Sequence, residues 1–245
     1  MSNCDQDSRT LREASFHDER ISDGDNIRGP LAYAYVSVLD VFEFTRLRPA
    51  YFDKRILELG CFRGEQARSL TGFSGQYTGV DISGAAVDYC NSLGLPAHFR
   101  FVVDDASQLD SIADGSIDYA FGHSVLHHLD LDRFAVNLAR KLASSGFARF
   151  VEPAQGNLAL RLFRALSPSL RTADELPFND ASIAALERHF KVRITYHALL
   201  RPFLPMLFLN AGWMTNWCRR LDDFLLRRAW LQKQAWWWQI ELHPR

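Results

Sequence analysis

The middle of the chain alternates short apolar runs with helix-like stretches, and this alternation constrains the fold more than any other feature. The apolar runs lie at residues 55–59, 77–82, 98–103, 117–121 and 146–151. Ser83 is a good N-cap for the helix after the second run, and residues 130–143 carry one apolar helical face. Strands that alternate with helices at this spacing form right-handed βαβ units, so we predict an α/β fold with a doubly wound parallel sheet.

The two ends of the chain differ from this middle region. Residues 1–47 have a polar start and two helical patterns, at 9–20 and 31–47, and we predict that they form part of a substrate lid. Residues 48–245 are predicted to form the main domain, with helical insertions near 155–176 and 199–232. Residues 191–197 alternate like a strand, and residues 235–242 are predicted to form an edge or antiparallel strand.

Composition narrows the classes of function. The 245 residues have a formal net charge of −1, which gives no basic excess for a nucleic-acid partner. The four cysteines are far apart and include no CxxC pair, so neither a metal site nor a disulfide framework is expected. The polar N-terminus does not resemble a signal peptide, and we expect a cytoplasmic protein.

Three features follow successive predicted strands, where ligands bind in such sheets. The first strand ends in a glycine turn at residues 60–64, which is weak evidence alone because an ordinary βα turn has the same glycines. Asp81 follows the second strand, at the distance where a Rossmann unit places an acid on ribose hydroxyls. Asp104 and Asp105 follow the third strand and suit an adenine amine, although each acid has the alternative role of a helix cap. Together the three features favour one adenosine ligand.

These segments resemble the successive motifs of class I S-adenosylmethionine-dependent methyltransferases, especially small bacterial enzymes that act on small molecules and lipids. The resemblance covers residues 55–153 and rests on residues 58–64, Asp81, Asp105, Ala106, 114–118, 124–129, 146–147 and 151–153. It implies a Rossmann-like, seven-stranded, mostly parallel sheet whose last strand is antiparallel, with added N-terminal helices and a helical insertion before that strand. A nicotinamide dehydrogenase is a poorer match, because the third glycine of its fingerprint is missing.

The resemblance implies S-adenosylmethionine as the cofactor and assigns its contacts. Glu58 and the glycine turn would face the methionine portion, Asp81 the ribose, Asp105 and Ala106 the adenine, and Gly122 and His123 the sulfonium end. The cofactor-binding candidates are Glu58, Gly60, Cys61, Gly64, Asp81, Ile82, Asp105, Ala106, Gly122 and His123. Phe62 departs from the family, which usually has glycine there, so its side chain must point away from the ligand.

Three histidines follow the fourth strand, at 123, 127 and 128. His127 or His123 is a candidate general base for a hydroxyl acceptor. The alternative is a structural histidine that hydrogen-bonds the backbone. A metal site at these residues is not expected, although His123 and His127 have i, i+4 spacing.

The remaining segments bear on the acceptor and on partners. Leucine, phenylalanine and tryptophan are frequent in residues 158–171 and 199–231, so we predict a small, hydrophobic acceptor, most often methylated at oxygen. The alternative is a non-catalytic adenosine-ligand binding protein or a partner subunit, for which Phe62 is the best support. Residues 236–238 are three tryptophans that alternate faces in a strand, so at least one is expected to be exposed in a homodimer contact or on a membrane surface.

Overall fold

A computed structural model of the chain describes residues 3–22, 44, 46–154, 156–158, 161, 178–204 and 212–245. Two predicted helices fall mostly outside these ranges. Of the pattern at 31–47, three residues are described, and of the insertion near 155–176, four residues are described.

Seven strands form one sheet in the order β3-β2-β1-β4-β5-β7-β6. The strands are β1 (Arg55–Leu59), β2 (Gln76–Asp81), β3 (Phe99–Val103), β4 (Ile117–His123), β5 (Leu142–Pro153), β6 (Phe190–His197) and β7 (Trp237–Pro244). Strand β7 is antiparallel to both of its neighbours, β5 and β6, and the pairs from β3 to β5 are all parallel. The predicted doubly wound, mostly parallel sheet with an antiparallel last strand is confirmed.

Helices connect the strands as predicted. They are α1 (Asn3–Ser22), α2 (Glu65–Ser69), α3 (Gly84–Ser92), α4 (Leu131–Lys141), α5 (Asp180–Glu187), α6 (Gly212–Leu225) and α7 (Ala229–Gln232). Helices α6 and α7 lie between β6 and β7, which confirms a helical insertion before the last strand. No helix within the described ranges is both long enough and apolar enough to cross a membrane.

Local capping explains where three helices begin. The Ser83 side chain accepts a hydrogen bond from the Ala86 amide at the start of α3, and Asp130 caps α4 in the same way. Asn179 and Ser182 form a capping box at α5. Helix α4 ends at Lys141, two residues earlier than predicted, because Leu142 already pairs with Ile117 in the sheet.

The sheet is buried on both faces. Alternate residues of β1 point to opposite sides, so that Ile56 packs in one core cluster and Leu57 in the other. The Leu57 cluster includes Phe134 of α4 and Leu186 of α5, whereas the Ile56 cluster includes Val87 of α3. This double burial is the reason that the parallel strands appear in the sequence as continuous apolar runs.

The tryptophan triplet is placed differently from the prediction. Trp236, Trp237 and Trp238 are 4%, 7% and 4% exposed, so the expectation that at least one would be exposed is wrong. The reason is that β7 lies inside the sheet, between β5 and β6, and both of its faces are covered. The ring of Trp238 contacts Phe178 and Tyr196, on β7's other face from Trp237.

Candidate functional site

The loop after β1 crosses the end of β2. The amides of Gly60 and Cys61 both donate to the Val80 carbonyl, at 2.9 and 3.1 Å, which fixes the loop against the neighbouring strand. Gly60 and Gly64 have φ values of 72° and 65°, which glycine adopts without strain. Phe62, between them, has a φ of 43°, and this left-handed conformation is strained for a phenylalanine.

Asp81, at the end of β2, joins two loops. One carboxylate oxygen accepts from the Phe62 amide at 2.8 Å and the other accepts from the Ser83 amide at 3.0 Å. Burial raises the pKa of Asp81, although these amides and the charge of Arg20 oppose the shift. The Ile82 amide is a third donor to this carboxylate, so one of its four lone pairs is left to accept from a hydroxyl group. This arrangement fits the ribose-binding role that the resemblance implies.

Helix α1 lies across these loops. The Asp18 carboxylate accepts from the Ser83 hydroxyl and, at 3.2 Å, from the Ala85 amide. The Arg20 guanidinium lies 4.7 Å from the centre of the Phe62 ring, within cation–π distance. The Phe62 side chain therefore joins the glycine loop to α1, and it lies beneath this helix.

Glu58 and Cys61 lie beneath the loop. The Tyr77 hydroxyl donates to the Glu58 carboxylate at 2.5 Å, and both side chains are buried. Burial raises the pKa of Glu58 well above its ordinary value. The Cys61 side chain is 2% exposed and packs with Cys90 of α3, so its thiol is buried beneath the loop.

Asp105 begins a turn of its own after β3. Its carboxylate accepts from the Ser107 amide at 2.7 Å and from the Gln108 side chain at 3.2 Å. No helix lies between β3 and β4, a stretch that the structure describes in full, so Asp105 stabilises a turn and does not cap a helix. Its remaining lone pairs are compatible with an adenine amine. Ala106 is buried, whereas Val103, at the end of β3, is 57% exposed and offers an apolar surface beside Asp105.

Gly122 and His123 end β4. A side chain at Gly122 would come within 2.7 Å of Val125 and 2.9 Å of the Leu59 carbonyl, so glycine is required for close packing. The half-buried His123 ring lies 4.9 Å from the Trp237 ring, in an edge-to-face arrangement. His123 thus lies at the carboxyl end of β4, with its ring against Trp237 of β7, on the far side of β5.

His127 has a buried ionic partner. Its Nδ1 atom lies 2.6 Å from Oε2 of Glu152, and Oε1 of the same carboxylate accepts from the amides of Val125 and Leu126. The second histidine, His128, lies 3.3 Å from Glu13 of α1. The structural alternative named a backbone partner for this histidine, whereas the partner of its Nδ1 atom is a carboxylate. A carboxylate that orients an imidazole is an arrangement that general bases also use.

The predicted residues lie in three places along the carboxyl ends of β1 to β4. Glu58, Asp81 and the glycine loop lie together, and Asp81 contributes to the electrostatic field at Glu58. Asp105 lies in the turn that follows β3, whereas His123 is the last residue of β4 and His127 lies in the short helical turn after it. No cluster of three metal-ligating side chains occurs within the described residues.

Sequence reasoning missed three participants: Asp18, Arg20 and Glu152. Asp18 and Arg20 lay in a helix that was predicted only as part of a lid, and Glu152 was noted only as part of the fifth-strand motif. Asp18 and Ser83 are 65 residues apart, and such long-range partners leave no local pattern in a single sequence. The Val-Glu-Pro motif was the one available signal for Glu152.

A second concave region lies beside the end of β5. Its volume is about 420 Å³, and it is lined by Gly156, Arg161, Phe178, Asn179, Asp180, Lys233 and Trp238. The lining combines two aromatic rings with charged groups, of which Lys233 and Asp180 form an ion pair at 2.6 Å.

The carboxyl ends of β1 to β4, where the candidate residues lie, fall within a segment that matches a known family. Residues 57–150, from β1 through most of β5, match the model of a methyltransferase domain. This match over 94 of the 245 residues supports a class I S-adenosylmethionine-dependent methyltransferase. This match confirms the resemblance that the sequence motifs indicated, and it places all of the candidate strand ends from Glu58 to His127 inside the domain.

Solved structures share this methyltransferase fold. A Haloferax volcanii complex of a methyltransferase activator with a methyltransferase gives a TM-score of 0.65 at 17% identity, covering 94% of this chain and 98% of the other. A Thermotoga maritima S-adenosylmethionine-dependent methyltransferase gives 0.65 at 13% identity, covering 95% and 100%. A geranyl diphosphate methyltransferase bound to S-adenosylmethionine gives 0.55 at 14%, covering 82% and 81%. These identities show the fold alone. No curated protein matches the chain significantly in sequence.

Proposed function

We propose that the protein binds S-adenosylmethionine and transfers its methyl group to a small, hydrophobic acceptor. The observation that carries the proposal is Asp81, whose two oxygens hold the Phe62 and Ser83 amides and keep one acceptor position for a ribose hydroxyl. It lies in the part of the chain that matches a methyltransferase domain. When bound, the cofactor supplies an electrophilic methyl carbon, so the protein mainly orients the acceptor and excludes water.

Helix α1 is proposed as part of the lid, in line with the assignment of residues 1–47. Asp18 fastens it to the loop after β2, and Arg20 to the loop after β1. Both loops belong to the proposed cofactor site, so α1 covers the region from which water has to be excluded.

The acceptor is proposed to be methylated at oxygen, with His123 or His127 as the general base. His123 lies half-buried beside Trp237, and His127 is oriented by Glu152. The ordinary pKa of an imidazole lies near neutrality, so such a group is suited to remove a hydroxyl proton. The hydrophobic character of the acceptor is proposed from the many leucine, phenylalanine and tryptophan residues in 158–171 and 199–231. A homodimer and a cytoplasmic location stay predictions.

Calorimetry with S-adenosylmethionine and S-adenosylhomocysteine tests the cofactor. We expect micromolar binding that Asp81→Ala abolishes, whereas Asp88→Ala, on the exposed surface of α3, leaves it unchanged. Equal affinity in the two variants would remove Asp81 from the site.

The second candidate function is a non-catalytic binding protein or partner subunit that has kept the fold. The strained Phe62 in a glycine turn favours it, and one structural relative is solved with an activator protein. Absence of binding to either nucleoside would favour this alternative. Binding without turnover of any hydroxyl-bearing acceptor would favour it as well.

A further inference from the structure

Helix α6 carries aromatic side chains on its exposed face. Trp213, Trp217 and Phe224 are 72%, 60% and 51% exposed, and Trp230 of the neighbouring α7 is 73% exposed. Positions 213, 217 and 224 lie on one side of a helix with 3.6 residues per turn. Single exposed apolar residues are common, but an aligned set of large rings marks an interaction surface.

This aromatic face is additional to the face by which α6 packs on the protein. Cys218 and Asp222 lie on the packed side, where Cys218 and Met214 contact Leu204 and the Asp222 carboxylate accepts from the Leu200 amide. Asp222 also lies 3.5 Å from the buried Arg201. The packing of α6 on the protein therefore does not use the exposed rings, which are free to contact an external partner.

Charge around the aromatic face selects the partner. Three exposed arginines of this region, Arg220, Arg227 and Arg228, face a single exposed acid, Asp223. Lys233 is excluded from this count because Asp180 pairs with it. The Arg228 guanidinium lies 5.2 Å from the Phe224 ring, so cations and rings form one continuous surface. The whole chain has a net charge of −1, so the positive charge is a local feature.

We propose that the face formed by Trp213, Trp217, Phe224 and Trp230, with its arginines, binds an anionic membrane surface. Tryptophan rings suit the headgroup region of a bilayer, and arginines are attracted to acidic lipids. A second copy of the chain fits less well, because a two-fold contact would bring the same three arginines against each other. This inference goes beyond the proposed methyl transfer and does not depend on it.

Vesicle flotation of the full-length protein tests the proposal. One set of vesicles contains equal parts of phosphatidylglycerol and phosphatidylcholine, and the other contains phosphatidylcholine alone. We expect binding to the acidic vesicles, weakened by salt, and little binding to the neutral ones. Absence of flotation at low salt, or equal binding to both vesicles, would overturn the proposal.

Two triple variants separate the rings from the charges. Trp213→Ser, Trp217→Ser and Phe224→Ser together are expected to abolish flotation. Arg220→Gln, Arg227→Gln and Arg228→Gln together should lower partitioning by roughly a hundredfold, at about fivefold per charge. The matched control replaces three arginines exposed elsewhere: Arg68→Gln, Arg100→Gln and Arg133→Gln.

The control removes the same net charge as the arginine variant but leaves the arginines of the aromatic face in place. It should therefore float like the wild type. An equal loss in the two arginine variants would contradict a defined surface. Sedimentation velocity covers the rival partner: a dimer that the aromatic substitutions dissociate, without vesicle binding, would assign this face to self-association and overturn the membrane proposal. Circular dichroism confirms that each variant is folded.

Discussion

The Nδ1 atom of His127 lies 2.6 Å from Oε2 of Glu152, and this pair connects β5 to the turn after β4. The other carboxylate oxygen accepts from two consecutive amides of that turn, Val125 and Leu126. Glu152 is fully buried and His127 nearly so. The carboxylate thus satisfies the backbone of the turn and orients the imidazole at the same time.

Removal of one partner from this pair should destabilise the fold strongly. We expect His127→Gln to lower the free energy of unfolding by about 3–5 kcal/mol, because the buried Glu152 carboxylate loses the imidazole that lies 2.6 Å from it. Urea unfolding measures the loss. The control His243→Gln, at an exposed ion pair with Glu241, should cost no more than about 1 kcal/mol. A His127→Gln protein of wild-type stability with greatly reduced turnover would instead mark a purely catalytic residue.

The same pair predicts a loss of stability in acid. Burial alone raises the pKa of Glu152, but His127 and the two amides outweigh it, and the pKa lies below the ordinary value of 4.5. A lowered folded-state pKa stabilises the protein above that ordinary value, and the contribution disappears as the pH falls through the folded pKa. The stability difference between wild type and Glu152→Gln should therefore narrow in acid. Glu187→Gln, at an exposed position of α5, should show no such change.

Glu58 should have the opposite pH dependence. Burial raises its pKa well above 4.5, so the folded state binds the proton more tightly than the unfolded state. The stability contributed by Glu58 then falls as the pH rises from about 4.5 towards the folded pKa. Glu58→Gln keeps an acceptor for the Tyr77 hydroxyl and removes the charge. Thermal unfolding without cofactor should show the variant gaining stability relative to the wild type as the pH rises above about 4.5. A constant difference would contradict the raised pKa.

The parts of the fold that were predictable have local patterns. Buried strands such as β1 appear as apolar runs, Ser83 is a local helix cap, and Asp81 follows its glycine turn at a fixed distance. The burial of Trp237 was not predictable, because it depends on β7 inserting between β5 and β6. A strand alternates its faces wherever it lies, so the pattern cannot distinguish an edge from an interior position.

The candidate site divides in the same way. The glycine turn and Asp81 were identified from their order along the chain, because one βαβ unit brings them together. The Glu152 partner of His127 was not identified, since the two lie 25 residues apart on different elements. The position of α1 depends on Asp18, whose contacts with Ser83 and Ala85 are more distant still.

Substitution of Asp18 should release α1 from the loops. Asp18→Ala removes the acceptor for the Ser83 hydroxyl and the Ala85 amide, so we expect roughly tenfold faster amide exchange in α1, or about 1.4 kcal/mol. Hydrogen exchange by mass spectrometry measures the change. Glu19→Ala, at the next and exposed position, removes the same charge type and should leave the exchange of α1 unaltered. Unchanged exchange in both variants would exclude Asp18 as the fastening residue.

Replacement of Phe62 by glycine tests what this departure from the family does. Phe62→Gly relieves the strain of the positive φ, which stabilises the fold by about 1 kcal/mol. It also loses the Arg20 contact, and the glycine loses more backbone freedom on folding. The free energy of unfolding should therefore stay within about 1 kcal/mol of the wild type. We expect faster exchange in α1 and weaker S-adenosylmethionine binding by calorimetry, because the ring holds the lid. Phe62→Leu keeps the strained φ and loses the cation–π contact. Its exchange rate in α1 and its affinity for S-adenosylmethionine should lie between those of the wild type and of Phe62→Gly. Tighter binding in Phe62→Gly would show that the ring obstructs the cofactor, which would favour a chain that has lost methyl transfer.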